Sequence, residues 1–239
     1  MRAVITFHAI DDGPPPLSFP PQLFRRLVAA LRANDIPILG LDELLQPGAR
    51  GVALTFDDGM TSLAQNAAPV LKDFDAPAHL FLTTATAGGD NRWPGQPASA
   101  PLYQMMSWPQ IEALPAAGVM IEAHTATHPD LRKLSDGQVE AEMEDADLTI
   151  SARLGRAPRF FAYPYGYHDA RIRKLAGRRY KACVTTELRY VDENARADAI
   201  PRLDSHYLRH TELTGDLAGP AARAYLEVRR LMRRLRGRG

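Results

Sequence analysis

Gly51-Val52-Ala53-Leu54-Thr55-Phe56-Asp57-Asp58-Gly59 carries a small and apolar run into two adjacent carboxylates and a glycine. The run reads as a buried strand. Successive side chains leaving a strand point in different directions, so Asp57 and Asp58 at its mouth face different ways. One carboxylate is then available to a metal ion while its neighbour acts as a base. Gly59 lets the backbone turn tightly beside them. An ordinary Asp-Asp-Gly turn after a strand has the same letters, and the stretch alone leaves both readings open.

A second stretch resolves the choice. His124-Thr125-Ala126-Thr127-His128 follows the apolar Gly118-Val119-Met120-Ile121 and offers two imidazoles four residues apart. Borderline metals such as zinc favour nitrogen donors, and three protein ligands keep one position open for water. Asp58, His124 and His128 make such a set. Pro129 disfavours helix at His128, which puts the pair on a turn after a strand. A third stretch, Phe160-Phe161-Ala162-Tyr163-Pro164-Tyr165-Gly166, again reads as strand then turn.

In this order the three motifs resemble the polysaccharide deacetylases of carbohydrate esterase family 4, the NodB-homology domain, over about residues 2–203. The resemblance implies an α/β fold, a distorted and incomplete or closed (β/α) barrel. It implies Asp57 as catalytic base, Asp58, His124 and His128 as metal ligands, and the Tyr165 N–H as oxyanion donor, with Pro164 and Gly166 of the same turn on the substrate side. The family pattern usually has an arginine where this chain has Ala162. Arg202, in Ile200-Pro201-Arg202-Leu203, is the candidate replacement and is counted among the substrate-side residues. The family's late histidine strand is also missing. Ala3-Val4-Ile5-Thr6-Phe7-His8 stands at the other end, as in the rearranged subgroup that includes biofilm poly-N-acetylglucosamine deacetylases. His8 is therefore the expected general acid, although alone it also reads as a polar residue at a strand end. His206 is the reserve candidate. His210 reads as a surface residue, His168 as a residue at the cleft rim, and Asp11-Asp12-Gly13, running into three prolines, as a turn.

Composition bounds the rest. A chain of 239 residues with 45% hydrophobic content fits one α/β barrel. Its formal charge of +1 argues against nucleic acid as the main partner. The single cysteine, Cys183, rules out an internal disulfide. Neither an export signal nor a membrane span is read in the sequence, so the expected location is cytoplasmic. From Arg223 to Arg238 there are seven arginines and one acid, Glu227. There Ala224, Val228, Leu231 and Leu235 form an apolar stripe, and residues 219–239 are read as a basic amphipathic tail after a catalytic domain of 1–218. Such a tail is expected either to contact an anionic membrane weakly or to pack on the barrel with a solvated arginine face.

Strand and helix signals alternate elsewhere, which predicts a largely parallel sheet with helices outside. Helix is expected at 24–33, 42–45, 64–74, 108–117 and from Ser135 onward. Strands are expected at 36–39 and 78–82. Residues 84–106 show no period, and Trp93 within them is open to two readings, a sugar-stacking platform or a surface-anchored side chain. The expected reaction is removal of an N-acetyl group from an N-acetylglucosamine-type unit with one divalent ion, zinc by donor type. O-acetyl ester hydrolysis, a non-sugar amidase and a non-catalytic carbohydrate-binding protein are the alternatives.

Overall fold

The computed structural model describes residues 1–96, 99–209 and 215–235. Seven parallel strands close into a barrel in sequence order: β1 Arg2–Phe7, β2 Gly51–Asp58, β3 Ala78–Leu82, β4 Val119–Ala123, β5 Phe160–Ala162, β6 Ala182–Leu188 and β7 Ile200–Asp204. Outside lie helices α1 Pro21–Ala33, α2 Leu41–Leu44, α3 Ala68–Asp73, α4 Trp108–Ala113, α5 Asp136–Leu154, α6 Ala170–Arg179 and α7 Pro220–Leu235. The barrel is thus complete in seven strands. β7 closes it on β1 through the pairs Ile5↔Leu203 and Thr6↔Asp204.

β2 shows how sequence becomes architecture. Its residues are buried on both faces, as parallel strands under helices must be. Val52, Leu54 and Phe56 join Phe7, Phe24 and Leu27 in the core beneath α1. Phe7 and Phe56 stack at 5.3 Å, and Phe24 meets both edge-on. The alternate residues Ala53, Thr55 and Asp57 point the other way, Ala53 into the interior cluster with Val4, Phe81, Ala162 and Val184. Their small size leaves the interior room for one long side chain, Arg202, which is the largest fully buried one.

Several expectations change in detail. Residues 36–39 form only an isolated bridge, Ile38↔Val52, rather than a strand of the barrel. The 64–74 helix opens as a π-helical turn, Leu63–Ala67, before Pro69 in α3. The 108–117 helix tightens into a 3-10 turn, Leu114–Ala117, around Pro115. α5 is capped as read: Ser135 Oγ accepts from the Gln138 N–H, and the Gln138 side chain answers.

α7 departs most from its expectation. Ala222 and Leu226 are buried against the barrel, while Val228, Leu231 and Leu235 are exposed. The guanidinium groups are engaged beside or beneath the helix: Arg229 lies over the Tyr207 and Tyr225 rings, Arg223 over Tyr190, and Arg230 and Arg234 pair with Glu187. The apolar stripe is turned outward beside the exposed Arg223 and Arg234. Arg236 and Arg238 lie outside the described residues, as does His210. Among the described residues, no helix is long and apolar enough to cross a membrane.

Candidate metal centre

The C-terminal ends of β2, β4, β5 and β7 converge at one mouth of the barrel, as strand ends do in parallel barrels. β2 delivers Asp57 and Asp58 at its last two positions. β4 ends at Ala123, so His124 opens the following turn and His128 closes it. Asp58, His124 and His128 each offer one ligand atom, and these atoms lie within 4.8 Å of one another.

Geometry tests whether a cation fits. Asp58 Oδ1 lies 3.5 Å from Nε2 of both histidines, too far for good hydrogen bonds. It is buried without a hydrogen-bond partner among the described residues. His124 Nδ1 sits 2.8 Å from the Ala162 carbonyl, to which its N–H donates, so Nε2 is left bare toward Asp58. An orphaned carboxylate oxygen and a bare imidazole nitrogen within a carboxylate–imidazole–imidazole set suit a divalent ion. Burial opposes charge on Asp58, yet His124 and His128 outweigh it and hold its carboxyl well below the usual range. Burial also opposes protonation of His124, but Asp58 and Asp57 raise it. His128 is pushed down to about 3, chiefly by burial.

Asp57 takes a different partner. Arg202 Nη1 and Nη2 each donate to one Asp57 oxygen at 2.7 Å, and Arg202 Nε donates to the Thr185 carbonyl at 2.9 Å. Both residues are buried, at 1% and 3% exposure. Burial alone would push the Asp57 carboxyl up, and the guanidinium reverses this and holds it below the usual range. Arg202 thus lies against Asp57 inside the barrel, with both terminal nitrogens engaged by that one carboxylate. Ala162 of β5 contributes only a methyl to the interior, and β7 supplies the guanidinium from elsewhere.

Backbone strain gathers here. Among the described residues six non-glycines have positive φ, and four of them are Asp58 (72°), Thr125 (68°), His128 (60°) and Tyr165 (59°). Each such residue costs on the order of 1–3 kcal/mol and persists only where surroundings fix it. Glu142 of α5 fixes one turn, accepting from the Ala126 and Thr127 N–H groups at 3.0 and 2.9 Å. Gly59 (φ 109°) takes a backbone conformation that residues with a side chain rarely adopt, and a Cβ there would also lie 2.7 Å from Leu82 Cδ1. At the third motif, Gly166 and Tyr167 donate to the Tyr163 and Pro164 carbonyls, closing the turn beneath Tyr165.

The remaining candidates are placed as follows. His8 is half-buried at the end of β1, close enough for its charge to act on Asp57, Asp58 and His128. His206 stands against Tyr207 and His168 against Tyr163. Trp93 is not a surface-anchored side chain: it is 7% exposed and its ring centroid lies 4.3 Å from that of His128. Glu142 carries no signal in its own stretch of sequence, because it is one acid among several on α5 and its partners lie in another motif.

The family model for polysaccharide deacetylase matches residues 45–180. A provisionally named polysaccharide deacetylase of Bacillus subtilis, YxkH, is 25% identical over 233 residues, covering 94% of this chain and 75% of its own length. A poly-beta-1,6-N-acetyl-D-glucosamine N-deacetylase of Staphylococcus aureus is 26% identical over 198 residues, 75% of this chain and 65% of its own. Among solved structures, the Streptococcus pyogenes deacetylase PplD in complex with acetate superposes with a TM-score of 0.72 at 24% identity, covering 84% of this chain and 90% of its own. IcaB from Ammonifex degensii gives 0.72 at 22%, covering 89% and 96%. Both share the barrel.

Proposed function

This chain belongs to the polysaccharide deacetylase family, and on that premise we propose that it is a metal-dependent N-deacetylase of N-acetylglucosamine-type units in a polysaccharide, oligosaccharide or glycolipid. The observation that carries the reading is the division of the two adjacent carboxylates. Asp58 faces two histidines, whereas Asp57 is held by Arg202 beside them. One divalent ion, zinc by its donor set of Asp58, His124 and His128, would polarise an acetyl carbonyl and lower the pKa of water when bound.

The chain's own groups supply the rest. Asp57, fixed and kept anionic by two charge-assisted hydrogen bonds, takes the proton of the attacking water. The Tyr165 N–H donates to the oxyanion that develops on the acetyl group. An amine leaves poorly as an anion, so His8 delivers a proton to the nitrogen as the carbon–nitrogen bond breaks. Acetate and a free amino sugar are the products. The twofold grip of Arg202 on Asp57 favours a catalytic protein over a binding relative, for which an oriented base has no use.

Acetate release from N-acetylated oligosaccharides, polymers and glycolipids, with metal-stripped protein as control, tests this reading. Acetate accompanied by free amine, and dependent on the ion, is expected. Release from O-acetyl esters alone would replace the substrate class, and release unaffected by stripping would remove the metal from the reaction.

A further inference from the structure

Residues 84–96 and 99–106 make a built arm rather than a loose connection. Asn91, 1% exposed, pins its two sides together. Asn91 Nδ2 donates to the Pro101 carbonyl at 3.0 Å, and its Oδ1 accepts from the Tyr103 N–H at 2.8 Å. Bridges between Asp90 and Gln104 and between Met60 and Met105 bind the arm to itself and to the end of β2. The Tyr103 hydroxyl meets Ser18 Oγ at 2.9 Å. Two residues past the pin, Trp93 enters the site, and its Nε1–H donates to the Tyr165 hydroxyl at 2.9 Å.

The two metal-facing imidazoles are oriented by different means. His124 has its Ala162 hydrogen bond. His128 Nδ1 is buried without a hydrogen-bond partner among the described residues. What fixes its ring is packing: Trp93 at 4.3 Å on one side and Tyr165 at 4.5 Å on another. Tyr165 is itself in the left-handed region, and Trp93 is the group from a distant element that grips its side chain.

We propose that Trp93 is a positioning residue that braces the metal centre, setting the His128 ring and the strained Tyr165 turn at once. The inference rests on the deacetylase reading only for Tyr165's role as oxyanion donor; the bracing of His128 stands apart from it. The aromatic residue of the arm serves the ion and the turn, and the sugar does not stack upon it.

The test uses the full chain carrying Trp93→Phe, Trp93→Ala, Tyr165→Phe and the double variant Trp93→Phe/Tyr165→Phe. Trp93→Phe keeps an aromatic ring and loses the N–H, so kcat should fall while KM holds. The double variant should be no worse than the poorer single one, because one hydrogen bond joins them. Trp93→Ala should also weaken Co²⁺ binding, read by competition with a chromophoric chelator, by about 10–100-fold, the range typical of groups that orient metal ligands. Trp93 and Trp108 are the two tryptophans, so in Trp108→Phe protein the remaining emission should be quenched as Co²⁺ binds.

Additive losses in the double variant, or a raised KM at unchanged kcat, would make Trp93 a substrate contact and overturn the proposal. Wild-type Co²⁺ affinity in Trp93→Ala would overturn it as well. The Co²⁺ measurements need no substrate, so they decide the bracing of His128 even if no acetylated sugar is hydrolysed.

Discussion

Arg202 and Asp57 form an ion pair whose members are both almost fully buried. Removing one partner from such a pair costs about 3–5 kcal/mol, because the other charge stays buried alone. Arg202→Ala should therefore lower the thermal midpoint sharply, and Arg202→Ala/Asp57→Asn should recover much of that loss while staying inactive. Calorimetry and acetate release on the same samples check both halves. Asp57→Asn alone should retain its metal and lose about 10²–10⁴-fold in turnover, the usual span for a general base. His124→Ala should lose the metal itself, measured by elemental analysis, and full occupancy there would displace the ligand assignment. Asp57, Asp58, His124 and His128 were legible because each lies in a short motif whose spacing carries its chemistry. Arg202 was legible only as a gap at Ala162, since its partner stands 145 residues away. The contact of Trp93 with His128 was not legible at all, because nothing in residues 84–106 announces where an irregular arm will fold.

Between elements, the narrowest seam of the barrel lies at β4 and β5, joined by the single registered pair Ala123↔Phe161. Glu122 reinforces it from β4. Its Oε2 accepts from the Arg159 and Phe160 N–H groups at 2.7 and 3.1 Å, and its Oε1 from Arg156 at 3.1 Å, with His79 of β3 at 3.4 Å. Burial opposes charge on Glu122, but His79, the Arg159 N–H and Arg156 together hold its carboxyl below the usual range. Glu122→Ala would strand the buried Phe160 N–H and its neighbours at a cost of about 1–3 kcal/mol for each buried donor left unsatisfied. Hydrogen exchange should then rise first at Phe160 to Ala162, with Glu122→Gln milder because an acceptor oxygen remains. Uniform acceleration across all strands would mean that Glu122 holds no particular seam. The alternation of strands and helices was readable from apolar runs and caps. Residues 36–39 misled because Ile36-Pro37-Ile38-Leu39 has a strand's composition, while Pro37 lacks the N–H a full ladder needs.

On the scale of the whole molecule, Cys183 is a reporter. It lies fully buried on β6, and burial pushes its thiol up to about 12. A thiol-specific disulfide reagent should leave it untouched in the native protein and label it along the same denaturant curve as the loss of circular dichroism. Labelling well before that transition would reveal that β6 opens on its own. Barrel closure itself was beyond the sequence, because strand count and shear are properties of pairing and not of any one strand. That closure also orders events in time. The strand that seals the ring is the one that carries the counter-charge for Asp57, so a chain emerging from the ribosome exposes its carboxylate pair long before β7 exists. Until Arg202 arrives, a dry barrel interior would enclose an uncompensated anion, and a nascent chain halted ahead of it should stay open to proteases. Closure of the ring and pairing of Asp57 are one late event.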